Sequence, residues 1–183
     1  MRQSHSLLII ALSLTLTLFI GSCGSKESPE PEDENELITT VRLNFTEKGT
    51  STTQKFEWKD TDGDGGNPPV TSRITLKSGR TYTLEIEFLD ESKTPADNKT
   101  AEIKAKGDEH LIVLTSTPSS LFNYTANDKD SRNFPIGLSG TVTTASINQG
   151  TLRVQLRHQP PVNGQPVKNG TVTPGSDDVN ISF

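Results

Sequence analysis

Apolar side chains recur at every second position along most of this chain. Between residues 81 and 88 the apolar residues Tyr82, Leu84, Ile86 and Phe88 alternate with threonine and glutamate. Successive side chains of a β-strand point to opposite faces, so this period of two predicts a strand with one buried and one solvated face. The same alternation, with a threonine-rich run over residues 140–146, predicts about nine short strands, the others lying around Val41–Phe45, Phe56–Trp58, Ile74–Leu76, Ile112–Leu114, Phe122–Tyr124, Leu152–Leu156 and Val179–Phe183.

Turn-forming dipeptides separate the predicted strands, among them Ser78-Gly79, Asn163-Gly164 and Asn169-Gly170. Short half-buried strands joined by such turns are typical of antiparallel sheets packed face to face. We therefore expect residues 37–183 to form one all-β domain, an antiparallel β-sandwich of immunoglobulin-like or related type.

One segment departs from the strand pattern and predicts a short helix from Pro95 to Lys106. Thr94 has the side chain preferred at a helix N-cap, and Pro95 suits the first helical position. Gly107 is the residue type that commonly ends a helix.

Residues 1–22 have the composition of a lipoprotein signal peptide. Arg2 precedes an apolar run over residues 7–20, which is shorter than a membrane-spanning helix and leads into the small-residue sequence Ile20-Gly21-Ser22-Cys23. Cys23 is the only cysteine of the chain, and acylation leaves no unpaired thiol in an oxidising compartment. We expect cleavage before Cys23, palmitate-type acylation of its thiol, and lipid anchoring in the outer membrane. The acidic run after Cys23 resembles a signal for export to the cell surface; the alternative is that it is only a spacer and that the domain faces the periplasm.

Residues 23–36 predict an acidic tether. After Cys23 the segment holds six acidic residues, one lysine and two prolines, so it has no apolar surface to bury and should stay extended. The tether carries most of the formal net charge of −5. The domain that follows is therefore close to neutral, and without a basic stripe it is not expected to bind nucleic acid.

An aspartate-rich loop follows the second predicted strand. Asp60, Asp62 and Asp64 alternate with other residues and are followed by glycine, which matches the first half of a calcium-binding loop. A fourth carboxylate has to come from elsewhere, and Asp128 or Asp130 is the best secondary candidate. The alternative is that aspartate and glycine simply form a turn at the end of a hairpin.

Two histidines remain in the predicted mature chain, and both continue the buried face of a strand. His110 precedes Ile112 and Leu114, and His158 follows Leu156, each at a spacing of two. If they meet, they can bind a transition metal together with Asp108 or Glu109, or act as axial ligands of a planar cofactor. The alternative is two hydrogen-bonded histidines at the margin of the core.

Sequence motifs of catalysis are absent: the chain has no nucleophile elbow, zinc-protease motif or phosphate loop. We therefore expect a non-catalytic binding module for a small ligand or metal. The alternative is a surface adhesion or interaction domain in which the aspartate-rich loop is purely structural.

Three segments carry a resemblance to a family. They are Trp58–Gly66, Asp108–His110 and Leu156–Pro160, and with them the chain resembles a group of uncharacterised Bacteroidota outer-membrane lipoproteins. The resemblance implies an outer-membrane setting beside a TonB-dependent uptake transporter. Such proteins are often labelled as type 1 periplasmic-binding folds, which consist of two α/β lobes, whereas the alternation in this chain favours an all-β domain.

Overall fold

The computed structural model describes residues 37–63, 65–146 and 149–183. Cys23, the tether and Asp64 lie outside the described residues. Within these ranges the chain is all-β, as predicted, and no helix there is long and apolar enough to cross a membrane. The elements are β1 (Thr40–Glu47), β2 (Thr53–Lys59), β3 (Val70–Thr71), β4 (Thr81–Asp90), β5 (Asp97–Asn98), α1 (Thr100–Ala105), β6 (His110–Thr117), β7 (Phe122–Ala126), β8 (Ser139–Thr144), β9 (Thr151–His158) and β10 (Ser176–Ser182).

The strands form two antiparallel sheets. The larger sheet has the order β3-β2-β1-β4-β8-β7, and β5 adds a short pairing to the C-terminal end of β4. The smaller sheet has the order β10-β9-β6. Each strand pair runs antiparallel, which is the arrangement that half-buried alternating strands favour.

The alternating apolar residues of the two sheets meet in one core, as the period of two predicts. On β1, Val41, Leu43 and Phe45 are at most 1% exposed. Phe45 packs edge to face against Phe56 and Tyr82, with ring centroids 6.0 and 6.2 Å apart. The smaller sheet contributes the facing side chains to the same cluster, which are Ile112, Leu152, Val154, Leu156 and Val179.

Among the described residues, the buried core runs from Val41 to Val179. Residues 35–183 also form one compact unit. A domain with its own core folds without its flanking segments, so residues 35–183 are a suitable fragment for measurements in solution.

The sandwich has two ends, which we name from the point where the described chain begins. The proximal end holds Thr40, which pairs with Leu89 in the larger sheet, and the His110–His158 pairing of the smaller sheet. The segment between β7 and β8 connects the sheets there, because Leu138 accepts a hydrogen bond from Ile86 and the preceding Ile136 accepts one from Ile112. The distal end holds Glu47 and Thr81 in one sheet and the Thr117–Thr151 pairing in the other.

The short helix is present but begins later than predicted. Asp97 and Asn98 pair with β4, so this backbone is extended, and α1 starts only at Thr100. The side chain of Asn98, rather than that of Thr94, accepts a hydrogen bond from the backbone N–H of Thr100. Sheet pairing has therefore overridden the helix-start signal at Pro95.

The predicted strand over Ile74–Leu76 is also absent. Ser72 donates the last backbone hydrogen bond of this segment to Glu57, and the following residues form no ladder. Ile74 and Leu76 are nevertheless half-buried and pack against the core. Their alternation indicated correctly which side chains face inward, while the backbone pairing is missing.

Candidate functional site

A cavity of about 690 Å³ lies between the two sheets at the distal end. Its size falls within the range of small-molecule sites in proteins, about 300–1,000 Å³. Both sheets and the segment before β4 line it, through Phe45, Arg73, Ile74, Thr75, Leu76, Ser78, Leu121, Phe122, Thr144, Ala145, Gln149, Gly150, Thr151, Leu152 and Phe183.

The apolar floor of the cavity follows from the strand pattern. Phe45 near the end of β1 and Leu152 near the start of β9 are inward-facing core residues that line the cavity, although both are almost fully buried. Ile74 and Leu76 reach it from the unpaired segment between β3 and β4, and both are half-buried.

Polar groups lie around this apolar floor. The hydroxyl of Thr144 is occupied, since it donates to the backbone oxygens of Lys77 and Arg80 at 2.7 and 3.1 Å. Arg73 is exposed and is the one charged residue among those that line the cavity. An apolar floor with a few polar groups at its margin is typical of a ligand site.

The two predicted histidines lie at the other end of the sandwich and do meet. They are direct partners in the β6–β9 register, and their rings stack with centroids 4.9 Å apart at an angle of 10°. The prediction that they lie close together is confirmed. Neither histidine lines the cavity.

Burial determines the chemistry of His110. Its side chain is 2% exposed, and burial lowers its pKa to about 4, while the neighbouring His158 acts in the same direction. Its Nδ1 lies 3.0 Å from the backbone oxygen of Lys106, which can only accept, so the Nδ1–H tautomer is assigned and Nε2 is left as an acceptor.

Each histidine has its own carboxylate neighbour. Nε2 of His110 lies 3.8 Å from Asp178, and Nε2 of His158 lies 3.8 Å from Glu109. Asp178 is carried inward by a break in the strand register between Asp177 and Val179, where a β-bulge turns one side chain out of the alternation. Both distances exceed a hydrogen bond, so each contact is only electrostatic.

The stacked geometry does not suit a shared metal ion. A metal binds in the plane of an imidazole at about 2.0–2.1 Å, and the lone pairs of two parallel stacked rings run side by side rather than converging. In the described part of the chain, no group of three or more histidine, cysteine, aspartate or glutamate side chains is placed to hold a metal. The two histidines are therefore better described as packed side chains at the margin of the core than as a metal site.

The carboxylates of the aspartate-rich loop accept hydrogen bonds from residues of the same loop. Asp60 accepts a hydrogen bond from the N–H of Gly63 at 2.9 Å, and Asp62 accepts from the backbone and side chain of Asn67 at 2.9 and 2.7 Å. These bonds to Asn67 lower the pKa of Asp62. They are the contacts of a turn, in which one oxygen of each carboxylate accepts hydrogen bonds from the loop.

The predicted fourth ligands lie elsewhere. β2, which precedes the aspartate-rich loop, and β7, which precedes Asp128 and Asp130, are separated by three strands of the larger sheet, or about 19 Å at the usual strand spacing. Asp128 accepts hydrogen bonds from the N–H groups of Gly137 and Leu138. The structure therefore does not bring Asp128 or Asp130 to the loop.

Asp130 instead forms a buried ion pair with Lys168, which sequence reasoning missed. Lys168 Nζ lies 3.0 Å from Asp130 Oδ2 and donates to the backbone oxygen of Gly107 at 2.7 Å, and both charged side chains are fully buried. Burial alone would raise the pKa of Asp130, but Lys168 and the N–H groups of Phe134 and Arg132 outweigh it and lower that pKa. The pair attaches the long β9–β10 connection to the segment after β7.

Comparison with known proteins assigns no family to this chain. No protein-family model, no curated protein and no solved structure matches it. The resemblance to Bacteroidota lipoproteins stays a prediction, and the function is inferred from the residues of the site.

Proposed function

We propose that this chain is a lipid-anchored outer-membrane binding module that holds a small, largely apolar ligand in the distal cavity without catalysing a reaction. The observation that carries the proposal is the cavity of about 690 Å³ between the sheets, lined by core side chains from both. A concave site of this size with apolar side chains in its lining is the usual setting for a small-molecule ligand.

The position of the cavity fits an anchored receptor. The described chain enters the sandwich at the proximal end, and β1 then runs eight residues, about 24 Å, to the distal end. The described chain therefore begins at the opposite end of the sandwich from the cavity. An uptake transporter of the outer membrane is the partner that the sequence resemblance implies, and such a transporter would receive the ligand.

The anchor is tested at Cys23. Cys23→Ala should abolish incorporation of a metabolic lipid label and release the protein from the outer-membrane fraction, because the acylated thiol is the anchor. Cells that express the unchanged protein are the control. A Cys23→Ala protein that still carries the label would refute the anchor and leave the cavity proposal intact.

The cavity is tested by blocking its mouth. Thr75 is exposed and lines the cavity, whereas Thr71 is equally exposed four residues earlier and does not line it. In residues 35–183, Thr75→Phe should reduce binding of the uncharged dye Nile red at least tenfold, while Thr71→Phe should leave it unchanged. Equal binding by the two variants, with unchanged melting temperatures, would place the dye outside the cavity and refute the proposal.

One observation favours the alternative of an interaction domain. The connection between β9 and β10 presents Val162 and Val172, which are 57% and 44% exposed. A small hairpin at Asn163–Gly164 projects Val162, and the buried Lys168 fixes the base of the connection. Under this alternative, replacing both valines by serine abolishes attachment of cells to a surface, and Thr75→Phe has no effect on attachment.

A further inference from the structure

The interior of the domain holds a lysine amine directly beside a carboxyl group. Lys168 Nζ lies 3.0 Å from Oδ2 of Asp130, and neither side chain has exposed surface. Within the described residues, Oδ2 accepts no hydrogen bond in spite of this short distance. The amine therefore lies against the carboxyl group away from bulk water and without the geometry of a hydrogen bond to it.

The other carboxylate oxygen of Asp130 is held by the backbone. Oδ1 accepts hydrogen bonds from the N–H groups of Arg132 and Phe134 at 2.9 and 2.8 Å. Two backbone N–H groups on one oxygen are the arrangement that stabilises the negative charge of a tetrahedral intermediate in acyl transfer. The two oxygens are thus unequal, because Oδ1 is stabilised as an anion while Oδ2 faces the amine.

Burial brings the amine closer to its reactive, neutral form. Desolvation lowers the pKa of Lys168, although Asp130 acts in the opposite direction. The ion pair still predominates, since Lys168 and the two N–H groups lower the pKa of Asp130, and Nη2 of Arg132 lies 4.0 Å from Oδ2. Transfer of one proton from Nζ to Oδ2 converts the pair into an amine and a carboxylic acid, which avoid the cost of buried charge.

We propose that Lys168 and Asp130 condense to an intramolecular amide in the folded protein, with loss of one water molecule. After the proton transfer, the lone pair of Nζ forms a bond to Cγ, and the charge that develops on Oδ1 is held by the two backbone N–H groups. The Cγ–Oδ2 bond then breaks, and Oδ2 leaves as water with its own proton and a second one from Nζ. The reaction uses only these two side chains and needs no oxidant or reductant.

The surroundings of the pair already match the product. Nζ lies 2.7 Å from the backbone oxygen of Gly107, so the one hydrogen that the amide nitrogen keeps has an acceptor in place. Oδ1 becomes the amide oxygen and keeps both of its donors. The bond joins the β9–β10 connection to the segment after β7, and a cross-link between distant segments stabilises a fold by restricting the unfolded chain. This inference does not depend on what the distal cavity binds.

The test is the intact mass of residues 35–183 after folding. Amide formation should lower the mass by about 18 Da, the mass of one water molecule. Trypsin should then release residues 130–132 joined to residues 158–183, because an acylated lysine is no longer a cleavage site. Lys77 and Glu47 form an exposed pair at 2.9 Å in the same molecule and should give no joined peptides.

Lys168→Arg is the matched control variant. A guanidinium keeps the positive charge but stays protonated, so it does not offer a lone pair to the carboxyl group. Asp130→Ala removes the acyl group instead. Both variants should keep the full mass of their sequences, and their melting temperatures show whether they have folded.

The outcomes are distinct. A folded, unchanged protein that keeps its full mass after prolonged incubation would overturn the inference and leave the pair as an ion pair only. A loss of about 18 Da that persists in Lys168→Arg would also overturn it, since dehydration at an aspartate–glycine step such as Asp62-Gly63 removes the same mass. Mass loss confined to the unchanged protein, together with the joined peptides, is the result expected. Protein that keeps its full mass is also the form in which the two charges determine stability.

Discussion

The buried ion pair predicts a large and pH-dependent loss of stability when its lysine is removed. Lys168 and Asp130 have fully buried side chains with Nζ and Oδ2 3.0 Å apart. In Lys168→Met the apolar stem is retained, so packing changes little, but the buried carboxylate of Asp130 loses Lys168 and keeps only the more distant Arg132, whose Nη2 lies 4.0 Å from Oδ2. Breaking a buried pair in this way costs about 3–5 kcal/mol of the free energy of unfolding.

A surface ion pair provides the matched control. Lys77 Nζ lies 2.9 Å from Glu47, and the Lys77 side chain is 69% exposed. Exposed pairs of this kind contribute about 0–1 kcal/mol. Lys77→Met therefore removes the same functional group at a similar ion-pair distance, and the difference between the two variants measures the effect of burial together with the lost hydrogen bond from Lys168 to Gly107.

The sign of the pH dependence distinguishes a stranded charge from lost packing. In the unchanged protein the pKa of Asp130 is lowered, so its contribution is present above the unfolded value near 3.9 and is lost only in stronger acid. In Lys168→Met, burial is opposed only by Arg132 and the backbone N–H groups, so the pKa of Asp130 rises above its value in the unchanged protein. The folded variant then binds the proton first, so its deficit should shrink as pH falls from 7 towards 4.

Urea denaturation of residues 35–183 at pH 7 and pH 4.5 measures both effects. We expect Lys168→Met to lose about 3–5 kcal/mol at pH 7 and less at pH 4.5, with Lys77→Met near zero at both values. A loss no larger than that of Lys77→Met would refute the argument from burial. A large loss that is equal at the two pH values would refute the stranded charge and assign the effect to packing.

Three further predictions concern the proximal end. The folded pKa of His110, about 4, lies below its unfolded value, so its contribution to the free energy of unfolding is full above about pH 6.5 and declines by about 3 kcal/mol as pH falls to 4. His110→Gln should therefore reduce the pH dependence of the free energy of unfolding measured by denaturation. An unchanged pH dependence would contradict the assignment to His110. Gly175→Ala places a Cβ 1.8 Å from the backbone oxygen of His158 at φ +75°, whereas Gly164→Ala at φ +73° meets no atom within 4 Å. Gly175→Ala should therefore lower the free energy of unfolding by at least about 2 kcal/mol more than Gly164→Ala. Equal melting temperatures of the two variants would exclude the clash. Because Asp62 already accepts hydrogen bonds from its own turn, calcium should not raise the melting temperature. A site with a millimolar Kd would instead raise the free energy of unfolding by about 1.4 kcal/mol at ten times that concentration. Such a rise, reversed by a chelator and lost in Asp62→Asn, would support the calcium site.

The strand faces were predictable because they depend on a local property. Alternate side chains of any strand point to opposite sides, so Tyr82 to Phe88 indicated a buried row before any partner strand was known. Ile74–Leu76 shows the limit of this reasoning. Its alternation identified inward-facing side chains, but whether a ladder forms depends on a neighbouring strand, which local sequence does not specify.

Contacts between distant segments were not predictable in the same way. Lys168 lies in a segment rich in proline, glycine and asparagine, where a lysine is normally exposed, yet its side chain is fully buried because Asp130 lies opposite. Asp178 breaks the alternation of β10, and its inward position follows from a bulge that only the strand register reveals. In both cases the information is in the pairing of segments, not in the residue pattern.

The residues with the strongest chemical signatures in the sequence are the ones that the fold itself uses. Asp60 and Asp62 accept hydrogen bonds from their own turn, and the two histidines stack on one another. Each of these side chains has an interaction partner within the domain, so its polar groups stabilise the fold.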